Sequence, residues 1–314
     1  MSIAVTFVIV NWNGRRLLED CLNSIRRQTF REFETIVVDN GSTDGSRELL
    51  REKFGDVRVL ELESNHGFAE PNNLAFREAG GDFVATVNND LTLEPGWLTP
   101  LIGALQSDES CFAAQGKILR ADQPGVVDTC GLGMRPCGAA RNLAHNRLGD
   151  TIRARREIFT VSAGAAVYRK SMLRQLGLFD GRYFAYYEDL DLGWRARQQG
   201  WRTMLIPEAI AYHKVHGTSG NVPGDFLWFL SERNRLRTMV KNLPLGVLMR
   251  HPMKILLDEL RYIDMIRKKA GWRTLLRARL TVLGELLTLR AKRSAGAGRV
   301  TARQWRDWLQ MSAE

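Results

Sequence analysis

The chain has 314 residues, 44% of them apolar and 25% charged. That length suits one large α/β domain or two modest ones, and the composition excludes disordered, collagen-like and disulfide-scaffold chains. Lys and Arg number 45 against 35 Asp and Glu, a net charge of +10 that points to an anionic partner such as nucleic acid, a membrane surface or a phosphorylated substrate. The excess is uneven: residues 1–242 carry 30 basic and 29 acidic side chains, whereas residues 243–314 carry 15 and 6. The body is almost neutral, so the anionic partner is expected at the tail.

Residues 3–10 read as a buried strand of branched and aromatic residues. A helix follows with Leu17, Leu18, Cys21, Leu22 and Ile25 on one face. Residues 35–38 form a second buried strand, ending in the polar run Asp39-Asn40-Gly41-Ser42-Thr43-Asp44-Gly45-Ser46, a loop that turns into a helix N-terminus. A third strand covers 57–62, a helix 69–79, and a fourth strand 83–87, which ends at Asn88-Asn89-Asp90. Pro95 stands near the start of another helix. This alternation predicts βαβ units on a parallel sheet, with ligands bound beyond the carboxyl ends of the strands. Three such ends carry polar clusters, at 11–13, 39–42 and 88–90. Residues 110–165 read as long loops with short strands. Residues 160–168 are strand-like, 188–199 are helical with Gly200 to end the helix, and 203–206 and 210–212 form short strands around Pro207. From Phe226 the chain reads as mostly helical, with a short linker at 294–298.

The compartment signals are plain. No C-x-x-C pair joins Cys21, Cys111, Cys130 and Cys137, which argues against zinc. Cys21 reads as a core residue, and free thiols in a reducing cytosol are simpler than a Cys130–Cys137 bridge. The N-terminal stretch has no basic n-region and is expected not to be a signal peptide. No apolar run approaches the ~20 residues that span a bilayer.

Four motifs carry candidate chemistry. Asp39, at a strand end, can accept hydrogen bonds from a ribose or base, or simply cap a turn. Asn88, Asn89 and Asp90 offer oxygen donors suited to Mg²⁺ or Mn²⁺, with a diphosphate completing the shell; an Asp at a strand end is also an ordinary cap. Glu188, Asp189 and Asp191 crowd three acids into four positions, which suits either a helix N-terminus or a general base of raised pKa. His213 or His216 can supply a nitrogen ligand, and Lys214 a phosphate contact. No GxGxxG fingerprint is present.

In this order the motifs VTFVIVNWNG (5–14), VVDNGSTDGS (37–46), NHGFAEPNN (65–73), VNNDLTL (87–93), YYEDLDLGWRARQQGW (186–201) and AYHKVHGTS (211–219) resemble glycosyltransferase family 2, in its bacterial rhamnosyltransferase-like branch. The resemblance implies a GT-A fold: an α/β nucleotide-binding, mostly parallel sheet flanked by helices, here with a C-terminal helical extension. It implies a catalytic domain at 1–240 and leaves 241–314 as a basic amphipathic helical tail. It implies an inverting transfer of a sugar from a nucleoside diphosphate sugar, dTDP-rhamnose or a UDP-hexose, to a hydroxyl of a glycan or lipid-linked acceptor in cell-surface polysaccharide synthesis. Asp189 matches the acid proposed as base, with Glu188 beside it. Asp39, Asn11 and Asn13 match nucleotide contacts; Gly67, Phe68 and Asn73 line the donor pocket; Asn88, Asn89 and Asp191 complete the substrate set. Asp90 and His213 match the ligands of a divalent metal. Two departures stand out: Asn88 replaces the first acid of the family's Asp-x-Asp, and Glu70-Pro71 stand where small residues are usual.

In the tail, Leu276, Leu280, Leu283 and Leu287 fall on one helical stripe among Arg273, Arg277, Arg279, Arg290, Lys292 and Arg293. A basic amphipathic helix predicts contact with an anionic membrane, hence a cytoplasmic protein peripheral at the inner face; the alternatives are packing on the catalytic domain or pairing in a homodimer. Nucleic acid is not the expected partner, because the body is neutral and carries no recognised binding motif. The rival function is a non-catalytic nucleotide-sugar-binding or nucleic-acid-binding protein that uses the basic tail.

Overall fold

The computed structural model describes residues 3–214, 224–291 and 300–312, and no side chain at 290 or 291. His216, the 294–298 linker, Lys292, Arg293 and the side chain of Arg290 therefore lie outside the described residues. In chain order the first elements are β1 (Val5–Asn11), α1 (Arg15–Arg26), β2 (Phe33–Asn40), α2 (Ser46–Lys53), β3 (Arg58–Leu62), α3 (Ala69–Glu78), β4 (Phe83–Val87), β5 (Leu91–Leu93) and α4 (Leu98–Ser107). The middle of the chain adds β6 (Cys111–Arg120), β7 (Val127–Thr129), β8 (Leu132–Met134), β9 (Ala140–Asn142), β10 (Arg156–Glu157), β11 (Ala165–Arg169), α5 (Lys170–Leu176), α6 (Glu188–Gln198) and β12 (Arg202–His213). Helices α7 (Gly224–Asn242), α8 (Leu245–Arg250), α9 (Pro252–Ala291, broken at Gly271) and α10 (Ala302–Met311) follow.

The main sheet runs β10-β12-β6-β11-β4-β1-β2-β3. Strands β3, β2, β1 and β4 are parallel, and β6 is parallel to β12. Strand β11 is antiparallel to both β4 and β6, so β4 and β6 point the same way and β11 alone runs backward between them. The carboxyl ends of β1, β2, β4, β6 and β12 therefore share one edge. One sheet face buries Phe7, Ile9 and Val37 against Leu18, Leu22 and Ile25 of α1 and Leu101 and Leu105 of α4. The other buries Val8, Ile36 and Val84 with Phe76 of α3 and Leu192 of α6. Burial on both faces explains the continuous apolar runs of β1, β2 and β4.

The middle differs from the expectation of long loops with short strands. Strand β6 is ten residues long, and its partners come from distant segments. The strand expected at 160–168 is confined to β11. The two short strands expected around Pro207 are one strand, β12, whose register on β6 shifts between Leu205 and Ile210. Pro207 has no N–H to give to a ladder, so the irregularity falls there. All four cysteines are buried and free, Cys21 among the core residues as its helical position implied.

Helices α7 and α9 are stitched by buried ion pairs. Arg235, 1% exposed, pairs with Glu232 at 2.8 Å and with Glu259 of α9 at 2.8 Å. Arg279 reaches both acids, and Arg237 pairs with Glu285 at 2.6 Å. Asp258 of α9 accepts from the Cys137 N–H at 3.0 Å and pairs with Arg135. Removing one partner of such a pair would leave a buried charge uncompensated, at a cost of about 3–5 kcal/mol.

Candidate active site

A cavity of about 940 Å³ opens at the carboxyl edge of the sheet. Trp12, Asn88, Asn89, Asp90, Gly67, Phe68, Glu188, Asp189 and His213 line it. This volume is enough for a drug-sized or nucleotide-sized ligand.

Sheet register assembles its polar wall. Leu91 of β5 sits opposite His213 of β12, so Asp90 arrives beside the imidazole; Asp90 Oδ2 is 3.5 Å from His213 Nε2. His213 is also the partner of Arg120 at the end of β6, and β7 pairs antiparallel with β6. That pairing brings Asp128 to the other face of the ring, 2.8 Å from Nδ1. Burial lowers the His213 pKa, but hydrogen bonds to Asp128 and Asp90 and their charges outweigh it and raise the group to about 9. The contact with His213 in turn holds Asp128 below the usual carboxylate range, against the upward push of burial.

Asp128 fixes the ring so that Nε2 faces Asp90, the outer-shell arrangement common around metal-ligating histidines. Asp90, the His213 imidazole and the amide oxygens of Asn88 and Asn89 suit Mg²⁺ or Mn²⁺. Among the described residues no group of three His, Cys, Asp or Glu is arranged to hold a metal ion by itself, since Asp128 is on the Nδ1 side of the ring, away from Asp90. The donor set thus fits a cation whose shell a ligand's phosphate oxygens complete.

The acidic wall comes from the N-terminus of α6. Phe184, Tyr186 and Tyr187 before it all have positive φ, at 65°, 68° and 72°. Such backbone persists only where the surroundings hold it. Asn234 of α7 does so: its fully buried side-chain nitrogen lies 2.8–2.9 Å from the carbonyls of Tyr183, Ala185 and Tyr186. Asp189 accepts from the N–H of Ala163 at 3.2 Å and of Leu190 at 2.8 Å. Burial raises its pKa, those N–H groups pull it back, and the outcome is about 6. Burial and the Asp189 charge push Glu188 above the usual carboxylate range, and its Oε2 has no hydrogen-bond partner among the described residues. Asp191 does not join them. It is fully buried away from the cavity, bound by Arg195 at 2.9 Å, Lys241 at 2.8 Å and Asn242 at 2.8 Å.

At the ends of β1 and β2, Asn11, Asn13 and Asp39 form a network beside the cavity. Asn89 donates to Asn11 Oδ1 at 2.8 Å, and Asn11 donates to Ser42 Oγ at 3.2 Å. Asn13 Oδ1 accepts from the Thr43 N–H at 2.8 Å. Asp39 is fully buried and holds Arg47 at 2.7 Å. Asn40 donates to Gly67 O at 2.7 Å and so ties the 65–68 loop to β2. Gly67 has φ +81°, and a Cβ there would lie 2.4 Å from Phe184 O. Only glycine fits that approach.

Asn73 turns from the cavity. Its amide donates to Phe179 O at 2.9 Å and accepts from Phe179 N–H at 3.0 Å, which uses it up inside the fold. Glu70 likewise pairs with Arg77 at 2.9 Å, outside the cavity lining. Lys214 pairs with Asp20 at 2.5 Å. Sequence reasoning missed Asp128, Asn40, Asn65 and the second wall, where Phe226, Trp228, Tyr262 and Met265 of α7 and α9 give an apolar surface.

Comparison with known proteins matches these features. The chain is 29% identical over 254 residues to an N-acetylglucosaminyl-diphospho-decaprenol L-rhamnosyltransferase of Mycobacterium tuberculosis, covering 72% of this chain and 81% of that one. A Staphylococcus aureus TarS fragment in complex with UDP-GlcNAc superposes with a TM-score of 0.60 at 18% identity, over 97% of this chain and 92% of that one. A mannosyltransferase from Pyrobaculum calidifontis in complex with GDP-Man and Mn²⁺ gives 0.54 at 19% identity, over 98% and 84%. Both solved structures share the GT-A architecture with this chain. The family model described as glycosyl transferase family 2 matches residues 6–177, more than half of the chain, and the chain belongs to that family.

Proposed function

We propose that this protein transfers a sugar, with inversion, from a nucleoside diphosphate sugar to an acceptor hydroxyl. One observation carries the reading. A buried carboxylate, Asp189, is fixed in the same cavity as the Asp90–His213 pair, with its pKa raised to about 6. A base of that pKa is ionised at neutral pH yet basic enough to take a hydroxyl proton as bonding begins.

The nucleoside is assigned to the ends of β1 and β2, where the Asn11, Asn13 and Asp39 network, with Arg47 fixing the Asp39 carboxylate, sits behind Trp12 and Asn40 of the cavity wall, and Gly67 and Phe68 border the donor. Asp90 and His213 would hold Mg²⁺ or Mn²⁺, which when bound neutralises charge on the departing diphosphate. Asp189 takes the acceptor proton while the acceptor oxygen attacks the anomeric carbon from the face opposite the diphosphate. The carbon–oxygen bond to the nucleotide breaks in the same displacement, so the configuration inverts. Glu188, whose pKa burial and the Asp189 charge raise, can when protonated donate a hydrogen bond to a sugar or acceptor hydroxyl. Residues 1–240 act as the catalytic domain and include Phe226 and Trp228 of the apolar wall, to which the tail helices from 241 add Tyr262 and Met265.

The relative from Mycobacterium tuberculosis supports L-rhamnose as the donor sugar and a lipid-linked saccharide as the acceptor. The apolar wall around Trp228 and Met265 suits such an acceptor. The reaction would serve cell-surface polysaccharide synthesis at the cytoplasmic face of the membrane. Thermal stabilisation by a panel of nucleotide sugars, dTDP-rhamnose and UDP-hexoses first, tests the donor. Release of nucleoside diphosphate with a prenyl diphosphate sugar tests the transfer. Stabilisation without release under any metal would leave a nucleotide-sugar-binding protein instead.

A further inference from the structure

The second half of α9 presents an apolar stripe that no described residue covers. Trp272, Leu276, Leu280, Leu283 and Leu287 are 55%, 53%, 65%, 62% and 84% exposed. On a helix these five fall within about an 80° arc. The opposite side of the same helix carries the buried Leu275, Ala278, Val282 and Leu289. The stripe is thus a second apolar face, not the one that seats the helix. Arg273 and Arg277 lie along one edge of the stripe and are exposed, as are Arg250, Lys254 and Arg261 earlier in the tail. A contiguous exposed face of this kind marks an interaction surface.

We propose that this stripe docks on an anionic lipid bilayer, with the second half of α9, after the break at Gly271, lying in the plane of the interface. Charge selects the occupant. Residues 243–314 carry 15 basic and 6 acidic side chains. Pairing two copies through the same face would set like charges against each other, whereas an anionic headgroup layer neutralises them. No described helix is long and apolar enough to cross a membrane, so the helix lies on the surface. The inference concerns the tail alone and stands whether or not the acceptor is lipid-linked.

The test uses the full chain and sedimentation with vesicles of phosphatidylglycerol and phosphatidylcholine, against phosphatidylcholine alone. The expected result is binding to the anionic vesicles that weakens in high salt. The triple variant Leu280→Gln/Leu283→Gln/Leu287→Gln and the pair Arg261→Gln/Arg273→Gln should each lower partitioning on the order of tenfold or more. Both should keep the wild-type Tm and nucleoside diphosphate affinity, because the substituted side chains are exposed and outside the cavity. Absence of vesicle binding, or binding indifferent to both variants, overturns the proposal. So does a dimer in sedimentation velocity that the leucine variant dissociates, since a second copy would then occupy the stripe.

Discussion

Replacing Asp189 with Asn separates two consequences of one buried carboxylate. Its pKa rises from 3.8 to about 6 because burial disfavours the charged form. The folded state therefore binds this proton more tightly than the unfolded state. Folding stability falls as pH rises from about 4 to about 6 and then levels, and the loss at neutral pH is about 3 kcal/mol. Asn carries no charge and escapes that loss. It also keeps only one of the two acceptors that Ala163 and Leu190 use, which costs about 1 kcal/mol. At pH 7.5 the variant should thus be the more stable protein by about 2 kcal/mol, and below pH 4 the less stable by about 1. Turnover should fall about 10²–10⁴-fold, with nucleotide affinity unchanged. Wild-type kcat/KM should also decline below about pH 6 as Asp189 takes a proton. Urea unfolding at several pH values and nucleoside diphosphate release measure both effects. Near-normal turnover, or a stability difference that does not change with pH, refutes the reasoning.

Asp128→Asn should lower the His213 titration from about 9 toward the ordinary 6.5 and weaken cation binding about 10-fold or more; histidine NMR reads the first effect, and an unmoved titration contradicts the assigned contact. Gly67→Ala places a Cβ 2.4 Å from Phe184 O and should cost about 1–2 kcal/mol from the left-handed backbone alone, with a loss of donor affinity by calorimetry; wild-type affinity and Tm would remove Gly67 from the role. Asn234→Ala removes the amide that the carbonyls of Ala185 and Tyr186 share, while Tyr183 O keeps Arg233 as a donor, and should lower stability by about 2 kcal/mol in urea, with kcat falling more than donor affinity. Unchanged kcat would show that the loop before α6 holds itself.

The sheet edge was legible because each parallel strand is apolar throughout and ends abruptly in polar residues, as at Asn11, Asp39 and Asn88. Asp90 followed from the same punctuation, and Asp189 from the three acids crowded into positions 188–191. Asp191 was not separable from its neighbours by composition; helix geometry turns it away from Asp189, two positions back, but not from Glu188, three positions back. Its contacts with Lys241 and Asn242 come from 50 and 51 residues further along the chain. Asp128 was hidden for a related reason. It reaches His213 only through the pairing of β7 with β6 and of β6 with β12, and no local pattern encodes that register. The long β6 was obscured by Gly116 and Lys117 within it. The exposed leucine stripe was visible at its spacing, but periodicity alone could not say that α9 would bury its opposite face instead.

The central claim is that this cavity moves a sugar with inversion. The most direct measurement is proton NMR of the anomeric centre during turnover of dTDP-rhamnose with a prenyl diphosphate N-acetylglucosamine acceptor and Mg²⁺ or Mn²⁺. The account predicts dTDP release matched by a glycosidic product of the opposite anomeric configuration, and loss of both in Asp189→Asn. A product that retains the donor's configuration, or one formed equally well by Asp189→Asn, would contradict it.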